Sequence, residues 1–365
     1  MSGVWPRALI HEVLTSVGAA VGDSSFEDVL GLPEAKRYVV LVIDGLGLQQ
    51  LREHADIAPF LASLSNVEDV AAGVPSTTSV SLTSLGTGLR PGQHGMAGYT
   101  CRIPGTNRFL ITLAWDKSID PAVWQPHRPV LGKLQDSGVV ATVVNNPDFE
   151  SSGLTRCGWR GVSFVGAQTA WERSAAVCDA VAFGDRAVVY AYESKVDHTG
   201  HGHGVDSSQW RTALAEVDQD VRELREQLPA DVVLLVTADH GMVDLPLEER
   251  FDLVDHVRLR DDVVLVAGEA RFRHIHTASG AEKSVAARWR KKLGERAEVR
   301  RREDAEEWFG PLDPLVRARF GDVVVAALGD FGVFVSATMA VELQLRGFHG
   351  SITEAERRIP VLLAL

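Results

Sequence analysis

Apolar runs punctuated by charged residues set the first outline of this chain. Arg37-Tyr-Val-Val-Leu-Val-Ile43 ends at Asp44, and Arg186-Ala-Val-Val-Tyr-Ala-Tyr192 runs on to Asp197 with His201 after it. Val232-Val-Leu-Leu-Val-Thr-Ala238 ends at Asp239-His240-Gly241. Each run reads as a strand rich in β-branched residues. Between the second and third lies an acidic amphipathic helix over about 206–227, a β-α-β order that predicts a parallel pair with a right-handed crossover. The fold class is therefore α/β.

Other periodicities fill in the frame. Leu9, Val13, Leu14 and Val17 are spaced for one helical face in a segment reaching to about residue 30. Ala58-Pro-Phe-Leu-Ala-Ser-Leu64 reads as a short helix with proline in its first turn. The hydroxyl-rich stretch after Pro75 predicts a helix from Thr78 to Thr87, closed by Gly88. Residues 100–175 are irregular, with scattered tryptophans, prolines and one clear strand, Val139–Val144; they read as a substrate-side insertion. Residues 260–320, with a strand at Asp262–Gly268 and a charged helix near 281–294, read as a subdomain added at the sheet edge. Asp322–Ala327 is expected to return to the core, and Ile359–Leu365 to supply a last strand. The expected organisation is a single domain over 1–365.

Composition narrows the function classes. With 365 residues, 45% of them hydrophobic, the chain can bury a large core. A formal net charge of −12 disfavours binding to nucleic-acid polymer or to an anionic membrane surface, yet leaves room for a small phosphorylated ligand held by metal ions. Cys101, Cys157 and Cys178 are odd in number and form no CxxC pair, which argues against a disulfide scaffold or a thiolate zinc site. The amino terminus reads poorly as a signal peptide because His11 and Glu12 interrupt its apolar stretch. No apolar run approaches the ~18–20 residues of a membrane span. The expectation is a cytoplasmic protein.

Strand ends in a parallel sheet open onto one edge, so Asp44, Asp197, His201, Asp239 and His240 are expected to meet there. Mixed oxygen and nitrogen ligation suits a pair of divalent metal ions. In a helix Asp197 and His201 would share a face, but Gly200, Gly202 and Gly204 predict a loop that wraps two ligands around an ion. His198 and His203 read as bystanders in that loop. Pro75-Ser-Thr-Thr78 sits where the chain enters a helix, which places a hydroxyl at the positive end of a helix dipole. Metal coordination would supply the acidity that a free threonine lacks. His94 in Gln93-His-Gly95 and His349 in Phe348-His-Gly350 are weaker signals, since an isolated His-Gly is more often structural.

In this order the motifs resemble the alkaline phosphatase superfamily, and within it the type I phosphodiesterase/nucleotide pyrophosphatase family. The carrying segments are Asp44-Gly45, Pro75-Ser-Thr-Thr78, Thr87-Gly-Leu-Arg-Pro-Gly-Gln-His-Gly95, Asp197-x-x-x-His201, Ala238-Asp-His-Gly241 and Phe348-His-Gly350. The resemblance implies a doubly wound, mostly parallel sheet with helices on both faces and inserted cap segments. It implies two zinc sites: Asp197, His201 and His349 at one, Asp44, Asp239 and His240 at the other, with Thr78 bound to the second ion as nucleophile. His94 falls in a recurring family segment and takes a supporting role. The implied reaction is hydrolysis of a phosphodiester or pyrophosphate bond in a small substrate through a phospho-threonine intermediate.

Two positions depart from the pattern. The resemblance leads one to expect an aromatic residue after the nucleophile and an asparagine two residues beyond it, where this chain has Ser79 and Ser81. Ser81 inherits the substrate-binding slot, and a preference for nucleotides is not implied. A phosphate monoester phosphatase or phosphonate hydrolase of the same superfamily is the alternative, using cations from Arg90, Arg102 or the stretch Phe272-Arg-His-Ile-His-Thr277 with Arg271 before it. A zinc-binding protein without catalysis is the reading from a different class.

Overall fold

The computed structural model describes residues 6–365; Met1–Trp5, which open the segment expected to be helical, lie outside the described residues. A seven-stranded sheet forms the centre, in the order Ser65–Asn66, Val361–Ala364, Val232–Thr237, Arg37–Ile43, Ala187–Glu193, Val140–Asn145, Ser163–Gly166. The last five strands run parallel, and Val361–Ala364 is antiparallel to Val232–Thr237. Apart from half-buried Arg37, every residue of the three innermost strands is buried. That follows from their unbroken Val/Leu/Ile runs, which suit a sheet covered on both faces. The two strands flanking the long helix Ser208–Gln227 are not neighbours, as a simple β-α-β unit would make them: Arg37–Ile43 lies between them and pairs with both.

The covering helices form two groups. Ala170–Val181 packs against Ser208–Gln227, while Val13–Ala20 packs against Val130–Asp136 and Thr78–Thr87. The first helix stops at Ala20, short of the extent its periodicity suggests. Thr78–Thr87 has the boundaries its sequence predicts, closed by Gly88 in the left-handed region. At Gly86 this helix comes so close to helix Gly153–Trp159 that a Cβ would lie 2.5 Å from the Gly158 carbonyl oxygen.

A second, antiparallel sheet is built from Val263–Glu269, Phe272–Thr277, Val323–Ala327 and Ala297–Arg301, with helix Glu282–Leu293 against it. One side buries Ile275, Val299, Val325 and Trp289 in a core of its own. The other side, through Phe272, Val324 and Ala326, packs with Val74, Val80 and Met96 around the start of helix Thr78–Thr87. The apolar run at 322–327 therefore belongs to this sheet and not to the central one, because its hydrogen-bond partners are Phe272–Ile275 and Ala297–Arg301. The span 100–175 also divides. A hairpin, Thr100–Arg102 with Phe109–Ile111, and short helices lie outside the sheet, whereas Val140–Asn145 and Ser163–Gly166 are strands of it.

Candidate metal centre and active site

The carboxyl ends of the parallel strands bring the predicted donors together. Ligand atoms of Asp197, His201 and His349 lie within 4.8 Å of one another, as do those of Asp44, Asp239 and His240. The two groups adjoin, with the His240 and His349 rings stacked at 3.6 Å between centroids.

Local chemistry aims each donor. Asp44 follows the Arg37–Ile43 strand directly, its N–H bonded to the Glu193 carbonyl at 2.9 Å. Gly45 adopts φ +74°, and a Cβ there would sit 2.9 Å from the Asp197 Cα. A glycine is needed for that approach. Asp239 Oδ1 accepts the Gly45 N–H at 3.2 Å and the His240 N–H at 3.1 Å, which leaves Oδ2 for the group.

Asp197 and His201 lie on a helix, Lys195–His203, where the glycines predicted a loop. Packing overrides propensity here: a Cβ on Gly200 would stand 2.4 Å from Met242 Sδ. His198 and His203 are exposed and stand outside both donor groups, as does His94. His94 is fully buried beneath helix Thr78–Thr87, 2.9 Å from the Ser84 hydroxyl.

Three imidazoles are oriented in the same way. The Nδ1 atoms of His201, His240 and His349 meet the carbonyls of Gly347 at 2.8 Å, Gly241 at 3.1 Å and Ser76 at 3.1 Å. Each carbonyl requires a proton on Nδ1, so each Nε2 presents a lone pair to the centre. His201 Nε2 and His349 Nε2 stand 3.2 Å apart, two lone pairs facing. Asp44 Oδ1, Asp197 Oδ1 and Asp239 Oδ2 are buried with no hydrogen-bond partner. Burial, and then the charges of Asp197 and Asp239, push the Asp44 carboxyl well above its ordinary range. Burial raises Asp239 also, and holds the His349 imidazole well below its usual value. Converging lone pairs and orphaned carboxylate oxygens repel one another unless cations lie among them. The donor set thus fits two divalent ions.

Thr78 is the first residue of its helix, and its Oγ1 lies 3.1 Å from His240 Nε2. Thr77 shares the cavity wall but makes no side-chain cap bond. Ser76 joins the two halves, its N–H donating to the Gly350 carbonyl at 3.0 Å while its own carbonyl holds His349. Ser81 is fully buried, its hydroxyl without a partner, and the cavity wall is reached by Ser79 and Leu82 instead. None of the cations weighed for a monoester site reaches the cavity. Arg90 bonds the Glu307 carbonyl and Arg102 the Thr106 carbonyl; Arg271 and Arg273 are buried against Glu356 and Glu342.

Two further residues, Tyr192 and Glu356, support the centre. Tyr192 donates its hydroxyl to Asp44 Oδ2. Glu356 accepts the Ser351 N–H at 3.0 Å, two residues past His349, while its own carbonyl accepts the Gly241 N–H at 2.8 Å. Alternation along Ala187–Glu193 could have flagged Tyr192, which shares a face with Tyr190. Nothing local could have flagged Glu356.

Comparison with known proteins adds the following. The family model described as type I phosphodiesterase / nucleotide pyrophosphatase matches residues 38–352. The chain is 25% identical over 218 residues to an uncharacterised pyrophosphatase/phosphodiesterase of Schizosaccharomyces pombe, covering 56% of this chain and 44% of that protein. It spans less than half the length of the curated relatives it matches. Murine ectonucleotide pyrophosphatase / phosphodiesterase 5 superposes with a TM-score of 0.71 at 17% identity, over 90% of this chain and 87% of that one. An inactive threonine-to-alanine variant of that murine protein, in complex with AMP, superposes with a TM-score of 0.71 at 16% identity, with 90% and 87% covered. At these identities the likeness is one of fold.

Proposed function

This chain belongs to the type I phosphodiesterase / nucleotide pyrophosphatase family of the alkaline phosphatase superfamily, and from that premise we propose that it hydrolyses phosphodiester or pyrophosphate bonds with Thr78 as nucleophile. The observation that carries the reading is the Thr78 hydroxyl, 3.1 Å from His240 Nε2 at the junction of the two donor groups. Asp197, His201 and His349 would hold one divalent ion, and Asp44, Asp239 and His240 the other. Their His/Asp mixture favours Zn²⁺. Such ions, when bound, supply Lewis acidity to the phosphoryl oxygens and acidity to the nucleophile.

The chain's own groups do the rest. Thr78 Oγ forms a bond to phosphorus as the bond to the leaving oxygen breaks, and the hydroxyl proton departs with the displaced alcohol. The amino end of helix Thr78–Thr87 favours the negative charge that develops there. Water then cleaves the phospho-threonine and restores the hydroxyl. The inactive threonine-to-alanine variant of the murine neighbour supports a threonine in this role. A diester fits better than a monoester, because among the described residues no lysine or arginine lines the cavity to meet the second charge of a dianion. The same reading keeps the protein in the cytoplasm, where Cys101, Cys157 and Cys178 remain free thiols. Among the described residues no helix is long and apolar enough to cross a membrane.

The test is hydrolysis of bis(p-nitrophenyl) phosphate by wild type and Thr78→Ala, with metal content measured on both. Loss of at least ~10³-fold in kcat at unchanged metal content is expected. Near-normal turnover by the variant would overturn the assignment.

A further inference from the structure

The cavity over Thr78 measures about 430 Å³ and is unusual in its wall. Its acidic members are Asp44 and Asp197, which belong to the donor groups, Glu342, which is paired with Arg273, and Glu269. Glu269 keeps one oxygen on the Tyr99 N–H at 2.6 Å and leaves the other buried without a partner. Much of the remaining surface is apolar. From nearly buried Trp159 and Phe348 it continues through Leu82, Leu154 and Leu345 to a rim of Leu113, Phe149 and Val341. Those three are 56%, 39% and 53% exposed, although the sequence has ample core to bury large apolar side chains. Several hydroxyls that could read a polar ligand are already engaged. Ser79 bonds the Gly98 carbonyl at 3.0 Å, Tyr192 bonds Asp44, and Ser152 caps its own helix at Thr155.

A concave wall of apolar side chains that begins at the reacting hydroxyl and ends in solvent recognises an apolar group attached to the phosphate. Among the described residues no lysine or arginine lines the wall, so a second negative charge on the ligand would meet no cationic side chain there. We propose that this site takes monoanionic phosphodiesters of a lipophilic alcohol, whose alkyl chain lies along Trp159, Phe348 and the rim formed by Leu113, Phe149 and Val341. This rests on the hydrolase reading above and names its substrate class. Nucleoside esters and esters of cationic alcohols are the competing occupants.

The experiment is a series of p-nitrophenyl alkyl phosphates from methyl to octyl on zinc-loaded protein, beside the p-nitrophenyl esters of thymidine 5′-phosphate and of phosphocholine. Complete transfer of a methylene into an apolar wall is worth about fourfold (~0.8 kcal/mol), so a half-exposed rim predicts about a twofold rise in kcat/KM per methylene. Leu113→Ser and Val341→Ser, both at exposed positions where folding should survive, are expected to lower the octyl-to-methyl ratio measured within each variant. A series that is flat while the methyl ester turns over would overturn the inference and leave the hydrolase standing. So would a preference for the thymidine or phosphocholine ester over the octyl ester. No turnover on any ester, methyl included, would bring down the hydrolase reading and this inference with it.

Discussion

Glu356 and Arg271 form a fully buried ion pair, with Arg271 Nε 3.0 Å from Oε1 and Nη2 2.6 Å from Oε2. The pair lies behind the metal centre, because Glu356 also holds the turn after His349 through Ser351 and the turn after His240 through Gly241. Glu356→Gln keeps the shape and strands a buried guanidinium, so a loss of about 3–5 kcal/mol is expected in denaturant unfolding. Weakening of zinc binding by about 10–100-fold should accompany it. A double change, Arg271→Met with Glu356→Leu, should restore much of the stability but not the zinc affinity. Recovery of both would make the pair a stability element alone.

Tyr192→Phe removes the hydroxyl that Asp44 Oδ2 accepts and leaves the ring in place. Buried carboxylates lose about 1.5–3 kcal/mol with such a donor. Competition with a chromogenic chelator should therefore show weaker binding of the second ion, with the first little changed. Equal loss at both would mean the two groups are not separable.

Chelation offers a test of the fit itself. Converging lone pairs and unpartnered carboxylates make the metal-free fold the less stable one. At zinc concentrations 100 times Kd, each ion adds about 2.7 kcal/mol. The melting temperature should rise with zinc concentration and fall on adding a chelator. Independence from zinc would deny the centre its ions.

Gly86→Ala sets helix propensity against packing. Alanine favours the helix by about 1 kcal/mol, yet its Cβ would meet the Gly158 carbonyl oxygen at 2.5 Å. Backbone cannot yield as a side-chain tip can, and overpacking of this kind costs about 1–3 kcal/mol. A lower unfolding midpoint is expected. A higher one would show that the two helices can part.

Glu269 gives stability a pH dependence. Burial pushes its carboxyl up to about 8 in the folded chain, against 4.5 as its ordinary value. The folded state therefore holds the proton more tightly, so this group's contribution is complete below pH ~4.5 and is lost as pH rises through about 8. Glu269→Gln should remove that part of the slope, so that the stability difference between variant and wild type grows from pH 5 to 8. A constant difference would show that the carboxyl does not titrate there.

Much of the centre was legible because its donors sit at the ends of apolar runs. Asp44 and Asp239 could be placed on one sheet edge from strand pattern alone. His349 could not: it lies on a turn after the two-residue strand Gly347–Phe348, and family resemblance supplied it. The helix at Lys195–His203 was hidden by Gly200 and Gly202, which depress local propensity. The reason for Gly200 is distant in sequence, since both Gly200 and Gly347 close against Met242. The run at 322–327 announced a buried strand but not its sheet, because apolar content carries no address for a partner. Cavity walls were least legible, as Leu113, Trp159 and Val341 come from three separate segments.

One feature of the topology bears on how the protein is made. The centre draws on residues from Asp44 to His349, and Val361–Ala364 must enter between Val232–Thr237 and Ser65–Asn66 to complete the sheet edge behind it. A nascent chain emerging from the ribosome therefore carries five of the six donors, with no closed centre, until residue 349 is delivered. The group of Asp44, Asp239 and His240 is complete in sequence well before that point, so the two donor groups are assembled at different stages of synthesis, and the one that shares Asp197 and His201 comes last.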